Sequence, residues 1–373
     1  MSRPVRVAMA GFRMTDPTAW SGTPAGLTAG LAAHGTEVVA LDSSLPRPVA
    51  RALHAWMIVS GRGSGLWYRS REFFAASSAA VRIRRRLTER GPIDAWLTVG
   101  SDFGIPSGRP LVTFDDMTVV QASRFTVLPE SALEPRQLRA WVNAQRRLFG
   151  AADGCCVASS WAARSLVEDY GVPVDKVHVV GLGRNLDPRP VERSWDSPVF
   201  LFVGAAWERK NGDAVVRAFA EVRDRHPGAI LHLVGDAPRL AQPGVFCHGR
   251  LDQGVEAERR QLVDLFESST AFVMPSWCEP YGIVYLEAAA AGIGSIGSTL
   301  GGASDAIGPG GVIVDPRDDD ALTAAMIRMA VPAEARRLGE AARRRSSRYT
   351  WDRVAHRVMV AAGLAAPTAA DTL

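Results

Sequence analysis

The chain has 373 residues, of which 47% are hydrophobic and 22% are charged. This length suits about two domains with sizeable cores, and the composition is that of an ordinary globular protein. No stretch approaches the roughly 18 uncharged apolar residues of a membrane span. The apolar run from Val5 to Phe12 is interrupted by Arg6 and is too short for a secretion signal, so it predicts a first strand instead.

The four cysteines indicate the compartment. Cys155 and Cys156 are adjacent, and Cys247 and Cys278 are isolated. This spacing fits neither a metal site nor a disulfide framework, so we expect a reducing, cytoplasmic location.

The net charge of +4 is unevenly distributed. Residues 1–184 contain 22 basic and 15 acidic side chains, which gives +7, and the remainder contains 21 and 24, which gives −3. A basic first half suggests an acidic acceptor, an anionic membrane or nucleic acid. The densest cluster, Arg82–Arg90, is interpreted first as the solvated face of an amphipathic helix, and peripheral membrane contact through it stays open. No aromatic-interleaved motif accompanies it, so nucleic-acid binding is not expected.

The first half of the chain alternates short apolar strands with amphipathic helices. The predicted strands are Val5–Ala10, Glu37–Leu41, Ala95–Val99, Leu111–Phe114, Cys155–Ala158 and Val177–Val180. The predicted helices include Ala25–His34, Arg82–Arg90 and Pro135–Phe149. Nearly continuous apolar strands separated by helices predict a parallel sheet covered on both faces.

A second half with the same pattern follows a segment of linker composition, Gly181–Pro198. Its predicted strands are Val199–Val203, Ile230–Val234, Val245–Cys247, Ala271–Met274, Gly294–Ile296 and Val312–Val314. Its predicted helices are Ala214–Arg225, Ala257–Glu267, Pro280–Ala291, Ala321–Met329 and Ala333–Arg345, with a last helix at Trp351–Ala362. We predict two Rossmann-like domains, residues 1–185 and 186–349.

Two cations follow the first strand of the second domain. Arg209 and Lys210 lie in a loop after Gly204, at the carboxyl end of the predicted sheet, where open α/β sheets bind ligands. Lys210 is notable because the chain has two lysines against 41 arginines. The spacing is not that of a P-loop. A surface turn with ordinary charges is the alternative to a diphosphate site, and the scarcity of lysine favours the diphosphate site.

Two glutamates eight positions apart point to the same kind of ligand. Glu279 precedes Pro280, which suits a first helical position, and Glu287 follows within the same predicted helix. On one helix the two carboxylates would lie roughly 12 Å apart along the axis and about 80° apart around it. A phosphate at the helix N-terminus and sugar hydroxyls on each acid would form a nucleotide-sugar clamp. The alternative is a buried helix with one acid as N-cap and the other paired with an arginine.

Five motifs in this order resemble the donor domain of retaining glycosyltransferase family 4. They are Arg209-Lys210, Val245–Leu251, the Glu279–Glu287 pair, Gly301-Gly302 and Gly310–Pro316. The resemblance is dense over roughly residues 155–350 and looser before them. It implies the GT-B fold: two Rossmann-like domains whose parallel sheets face each other across a cleft, with the C-terminal helix, about residues 350–373, returning to the first domain.

The resemblance also implies roles for residues of the second domain. Arg209 and Lys210 would bind the donor diphosphate, Glu279 the donor sugar and Glu287 the ribose. The remaining donor contacts would come from the backbone N–H groups of Tyr281, Gly282, Ile283 and Val284 and from a base pocket formed by Gly249, Arg250 and Leu251.

In the first domain, the family's glycine-containing loop corresponds to Gly11 and to Ser21-Gly22-Thr23. The latter segment has plain N-cap chemistry as an equal alternative. The family's sugar-contacting histidine is replaced by Asp115 and Asp116, which are candidates for contacting the sugar or acceptor. The resemblance predicts no metal and no cofactor, because the cations would neutralise the leaving diphosphate.

The predicted activity is retaining, metal-independent transfer of a hexose from a UDP- or GDP-linked sugar to an acceptor hydroxyl by front-face attack. The alternatives are a GT-B epimerase or phosphorylase and a catalytically silent nucleotide-sugar-binding subunit. The sequence identifies neither the acceptor, the donor sugar and base, nor the oligomeric state.

Overall fold

The computed structural model describes residues 3–60, 71–88, 91–105 and 110–371. Their contacts divide the chain into two compact units. The first unit is Met1–Gly183 with Trp351–Leu373, and the second is Arg184–Thr350. These boundaries lie one or two residues from the predicted ones. The chain between Val180 and Pro198 has no helix or strand, as its linker composition predicts.

The first unit is a six-stranded parallel sheet with helices. In chain order its elements are β1 Arg6–Gly11, α1 Thr23–Ala33, β2 Glu37–Asp42, α2 Arg47–Val59, α3 Arg71–Leu87, β3 Ala95–Val99, β4 Leu111–Asp115, α4 Val119–Ser123, α5 Pro135–Ala151, β5 Gly154–Val157, α6 Ser160–Glu168, β6 Val177–Val179 and, after the second unit, α13 Trp351–Ala361. The strand order is β2-β1-β3-β4-β5-β6. The central strands β1, β3, β4 and β5 are almost entirely buried, which is why they are nearly continuous apolar runs in the sequence.

The second unit repeats this architecture. Its elements are β7 Val199–Gly204, α7 Gly212–Arg225, β8 Ile230–Gly235, β9 Val245–Gly249, α8 Glu256–Ser268, β10 Ala271–Val273, α9 Ile283–Ala291, β11 Gly294–Ser298, α10 Ala303–Ile307, β12 Gly311–Val314, α11 Asp319–Met329 and α12 Pro332–Ser346. The strand order is β12-β11-β10-β7-β8-β9, and every pairing is parallel. The predicted α/β class with two parallel sheets is confirmed.

Most helix bounds shift by one or two residues from the predictions, and some helices differ more. The helix predicted at Arg82–Arg90 is the end of a longer one, α3, while Arg90 itself lies outside the described residues. The helix α2, which the predicted elements do not include, follows β2 after four residues. A third difference, at Pro280, lies in the candidate site and is treated there.

The C-terminal helix α13 belongs to the first unit and packs on α1. The ring of Trp351 fills a notch formed by glycines: a Cβ on Gly26 would lie 2.1 Å from Trp351 Cε2, and one on Gly183 would lie 2.6 Å from Trp351 Cγ. A Cβ on Gly30 would lie 2.3 Å from the Trp351 carbonyl oxygen. Glycine is therefore required at positions 26 and 30 because α1 and α13 approach closely, and at position 183 because the linker runs against the Trp351 ring.

A matched pair of helix glycines tests this packing. Gly26→Ala should lower the free energy of unfolding by about 1–3 kcal/mol, because the added methyl group collides with the Trp351 ring. Gly150→Ala, within α5 and with no atom within 4 Å of the added Cβ, should be neutral or slightly stabilising. Thermal unfolding of both variants measures the difference, and equal shifts would contradict the close approach of α1 and α13.

Candidate functional site

The turn after β7 directs Lys210 into the second unit. The backbone N–H of Lys210 donates to the Ala206 carbonyl at 2.8 Å, which closes the turn before α7 begins. Lys210 is 9% exposed, and its Nζ forms an ion pair with the carboxylate of Glu279, which is 5% exposed. The two residues that the sequence analysis assigned to phosphate and sugar are therefore in direct contact.

The backbone of Glu279 is fixed by the loop after β11. Its N–H donates to the Leu300 carbonyl at 3.1 Å, and its carbonyl accepts from Gly302 N–H at 2.9 Å. Glu279 and Gly301 form an isolated parallel bridge. The Glu279 Oε2 atom also accepts a hydrogen bond from Ser276 Oγ at 3.3 Å. The carboxylate is thus held by its main chain, a hydroxyl and an ammonium group.

The predicted helix start at Pro280 is wrong. The helix α9 begins at Ile283, and its N-cap is Gly282, whose φ of 88° lies in the left-handed region that favours glycine. The bridge to Gly301 keeps Glu279 extended, so Glu279 and Glu287 do not share a helix. The roughly 12 Å spacing derived for one helix therefore does not apply.

Glu279 nevertheless lies beside the N-terminus of α9. A Cβ on Gly282 would lie 3.2 Å from Glu279 Cγ. The first turn of a helix has N–H groups with no intrahelical acceptor, and the helix dipole adds partial positive charge there. Two of the backbone N–H groups predicted to bind the donor, those of Ile283 and Val284, belong to this first turn. The other two, those of Tyr281 and Gly282, come directly before it. An anion-binding helix N-terminus and a carboxylate are therefore adjacent.

A second cation lies near this carboxylate. Arg209 is half-buried, and its Nη1 donates to the Cys278 carbonyl at 2.9 Å. Burial lowers the pKa of Lys210, the negative charge of Glu279 opposes that shift, and the positive charge of Arg209 adds to it. One carboxylate thus balances two neighbouring cations, a charge arrangement that suits an additional anion.

Glu287 lies in the middle of α9 and is 1% exposed. Its Oε1 accepts a hydrogen bond from Leu186 N–H at 3.2 Å. Burial raises its pKa to about 7, opposed by the N–H groups of Leu186 and Asn185 and by the charge of Arg184. The structure therefore gives Glu287 a main-chain contact with the start of the linker, while Arg184 forms its ion pair with Asp187. Its role in ribose binding stays a prediction.

The predicted base-pocket residues lie at the end of β9. Gly249 is its last residue, is exposed and has a φ of 71°. The guanidinium of Arg250 is paired with Asp236, which follows β8. Beneath them, His248 Nε2 lies 3.0 Å from His232 Nδ1, and burial lowers the pKa of His232 to about 4. This neutral pair supports the strand end that carries Gly249, Arg250 and Leu251.

The candidate residues of the first unit lie at the carboxyl end of β1 and in the loop after it. Gly11 is the last residue of β1 and is buried. The predicted side-chain N-cap within Ser21–Thr23 is not found: Gly22 is the N-cap of α1, and Thr23 is its first residue, with its hydroxyl donating to the Trp20 carbonyl at 2.8 Å. Trp20, Ser21 and Gly22 are successively left-handed, with φ of 49°, 52° and 83°. Such strain at non-glycine residues is typical of functional loops.

Asp115 and Asp116 have different environments. Asp115, the last residue of β4, is 3% exposed, and its Oδ1 accepts from Ser101 Oγ at 2.8 Å. Ser101 in turn accepts from Gln145 Nε2 at 2.7 Å. Within the described part of the chain, Asp115 Oδ2 is buried without a hydrogen-bond partner. Asp116 is half-buried, so of the two it is Asp116 that has substantial surface to offer a ligand.

Burial raises the pKa of Asp115 to about 8; the Ser101 hydrogen bond opposes the shift, and the charges of Asp102 and Asp116 add to it. Since the unfolded side chain titrates near 3.8, the folded state binds an extra proton between about pH 4 and pH 8. The free energy of unfolding must therefore fall as the pH rises through this window.

Asp115→Asn removes this titration while keeping the shape of the neutral acid. The variant should gain stability relative to the parent protein between pH 5 and pH 8.5, on the order of a few kcal/mol at the upper end. Denaturant unfolding at several pH values measures the gain. Asp175→Asn, at an exposed aspartate of the same unit, should follow the parent protein. A difference independent of pH would contradict the buried neutral acid.

Several residues of these sites were missed by sequence reasoning. Ser276 and Asp236 contact predicted residues, but a serine three positions before a glutamate, or an aspartate after a strand, is too common to stand out. Ser101 follows β3 and Gln145 lies in α5, so only the fold brings them into the hydrogen-bonded chain that ends at Asp115. Among residues 3–60, 71–88, 91–105 and 110–371, no group of three or more His, Cys, Asp or Glu side chains is placed to hold a metal ion.

The chain matches known proteins most strongly in its second unit. Residues 197–331 match the family described as Glycosyl transferases group 1. Over 239 residues the chain is 30% identical to D-inositol 3-phosphate glycosyltransferase of Acidothermus cellulolyticus, covering 56% of this chain and 53% of that protein. Over 218 residues it is 31% identical to glycogen synthase of Mycobacterium tuberculosis, covering 54% and 52%. The matches thus span about half the length of these curated relatives.

Solved structures match nearly the whole chain in fold. Sucrose-phosphate synthase from Thermosynechococcus elongatus superposes with a TM-score of 0.68 at 20% identity, covering 94% of this chain and 96% of that one. Anabaena HepE, solved in complex with UDP-glucose, gives 0.64 at 13% identity, covering 95% and 98%. With the two parallel sheets, these superpositions show the GT-B fold, and residues 197–331 carry the similarity to the Glycosyl transferases group 1 family.

Proposed function

We propose that this protein transfers a hexose from a nucleotide diphosphate sugar, UDP- or GDP-linked, to an acceptor hydroxyl with retention of the anomeric configuration. The observation that carries the proposal is the buried Lys210–Glu279 pair beside the N-terminus of α9. Removing two charges from water costs several kcal/mol per ion, so a buried ion pair often contributes little net stability. Because this pair lies beside a helix N-terminus, we infer that its role is to bind an anion.

Donor binding would redistribute these contacts. The diphosphate would accept hydrogen bonds from the first-turn N–H groups of α9 and from Lys210 and Arg209. Lys210 would then be shared between the phosphate and Glu279, which leaves Glu279 lone pairs for sugar hydroxyls. Charge that develops on the departing diphosphate would meet cations already in place, which lowers the barrier without a metal ion or cofactor.

The positions of the remaining residues are compatible with this donor. Gly249, at the end of β9, is exposed, and a Cβ there would meet no atom within 4 Å, so its backbone is accessible to a base. HepE, which shares the fold, was solved with UDP-glucose, and this supports a sugar nucleotide as the ligand class. Front-face attack by the acceptor, with the leaving phosphate taking its proton, needs no enzyme nucleophile. Asp116 and the Ser21–Thr23 loop are the candidates for contacting the acceptor or the sugar.

Donor binding is tested by thermal unfolding of the purified chain with nucleoside diphosphates and their sugars. A ligand at a hundred times its Kd should stabilise the protein by about 2.7 kcal/mol, and selectivity among bases would identify the donor. Lys210→Gln should largely abolish this stabilisation. Lys176→Gln changes the chain's other lysine, which donates to the Ala152 carbonyl in the first unit, and should retain it. If no nucleoside diphosphate stabilises the parent protein, the proposal fails.

Catalysis is tested with the identified donor and a panel of acceptor alcohols. Lys210→Gln and Glu279→Gln should each lower kcat by about a hundredfold or more, because each removes charge that acts in the transition state. Proton NMR of the product would report the anomeric configuration. An inverted product would contradict the retaining mechanism. Donor binding without transfer or hydrolysis would instead indicate a catalytically silent subunit.

A further inference from the structure

The helix α2 presents an apolar face to solvent. Its residues Val49, Ala52, Trp56 and Val59, here called the α2 stripe, recur at the spacing that places side chains on one side of a helix. Val49 is 48% exposed, Trp56 49% and Val59 87%. Met57, on the other side of the helix, is 1% exposed. The helix therefore buries one apolar side and exposes a second one about 15 Å long.

The end of α3 carries two further exposed apolar side chains. Ile83 is 58% exposed and Leu87 is 81% exposed. Arg84 of the same helix donates from Nη2 to the Ser44 carbonyl at 2.9 Å and from Nη1 to the Asp42 carbonyl. These bonds hold the end of α3 against the segment that leads directly into α2. Exposed apolar side chains grouped along a helix, rather than scattered singly, commonly mark an interaction site.

Exposed arginines occur on both helices. Arg47 and Arg51 are exposed in the first two turns of α2, and Arg82 and Arg86 are exposed on α3. In the sequence, residues 43–88 contain nine arginines and one acid, Glu72, which gives a net charge of +8. Since the whole chain carries +4, the rest of it carries −4. The net positive charge of the sequence is therefore concentrated in the segment that contains α2 and α3.

We propose that the α2 stripe, with the exposed apolar side chains and arginines at the end of α3, docks the protein onto an anionic lipid bilayer. The apolar side chains would enter the boundary between headgroups and acyl chains, while the guanidinium groups stay at the level of the lipid phosphates. The exposed apolar side chains match the acyl chains of such a membrane, and the exposed arginines match its anionic headgroups.

The charge argues against other occupants of this surface. A symmetric contact with a second copy would bring two surfaces of the same strong positive charge together. A nucleic acid would satisfy the arginines but would leave the α2 stripe facing a phosphate backbone. An anionic bilayer satisfies both features at once. The inference is independent of the proposed transfer reaction, because none of these residues belongs to the candidate donor site.

Vesicle sedimentation with the full chain tests the proposal. We expect binding to vesicles that contain phosphatidylglycerol, little binding to pure phosphatidylcholine, and release as salt is raised, since salt screens the arginines. Val49→Ser with Val59→Ser, and separately Arg82→Gln with Arg86→Gln, should each weaken binding about tenfold.

Matched controls lie elsewhere on the surface. Val174→Ser with Val331→Ser changes two valines that are 76% and 47% exposed, and Arg343→Gln with Arg344→Gln changes two exposed arginines of α12. Both pairs should bind vesicles as the parent protein does. The thermal response to nucleotides should be unchanged in all four double variants, which verifies folding and keeps this test separate from that of the donor site.

Three results would overturn the proposal. The first is absence of binding to anionic vesicles. The second is an equal loss of binding in the control variants. The third is a dimer of the parent protein that the Val49→Ser, Val59→Ser variant converts to a monomer in gel filtration, because a second copy would then be what covers the α2 stripe.

Discussion

The buried ion pair between Lys210 and Glu279 is the interaction on which the candidate site depends. It joins the turn after β7 to the loop before α9, two segments separated by 69 residues. Breaking such a pair by removing one partner commonly costs about 3–5 kcal/mol, because the remaining charge is buried without compensation. The same cost makes the pair responsive to a ligand. An arriving phosphate can replace the stabilisation that the Lys210 ammonium group loses when Glu279 is drawn away, and sugar hydroxyls can donate hydrogen bonds to the Glu279 carboxylate.

Segments outside the ion pair itself keep Lys210 and Glu279 in position. The Glu279 backbone is fixed by the loop after β11 through Leu300 and Gly302, so the carboxylate is placed by a different strand from the one it follows. Tyr285 Oη donates to the Met274 carbonyl at 2.6 Å and ties α9 to the end of β10. The positioning contacts therefore come from main-chain groups and one buried tyrosine hydroxyl, and they leave the polar N-terminus of α9 for a ligand. This arrangement supports the proposed transfer reaction, in which the protein would contribute positioning and electrostatic stabilisation.

The buried acids differ in what their burial achieves. Glu279 is compensated by a cation, whereas burial raises the pKa of Asp115 to about 8 and that of Glu287 to about 7. Near neutral pH, Asp115 is thus mostly a neutral acid within a hydrogen-bonded network of the first unit. Glu287 is close to its midpoint and accepts hydrogen bonds from the linker. Acids of this kind destabilise the fold as the pH rises, so their presence suggests roles in fixing strand ends and the linker rather than in adding stability.

The sequence by itself determined the parallel sheets and the order of the motifs. Strands such as Leu111–Phe114 and Val199–Val203 are nearly continuous apolar runs because both faces of a parallel sheet are buried, and that pattern is local. The partners of individual side chains are not local, and only the tertiary structure decided them. It paired Lys210 with Glu279, held Glu279 extended against Gly301 so that α9 begins at Ile283, and separated buried Asp115 from half-buried Asp116. Each of these outcomes depends on contacts between segments distant along the chain, which neither helix propensity nor residue spacing encodes.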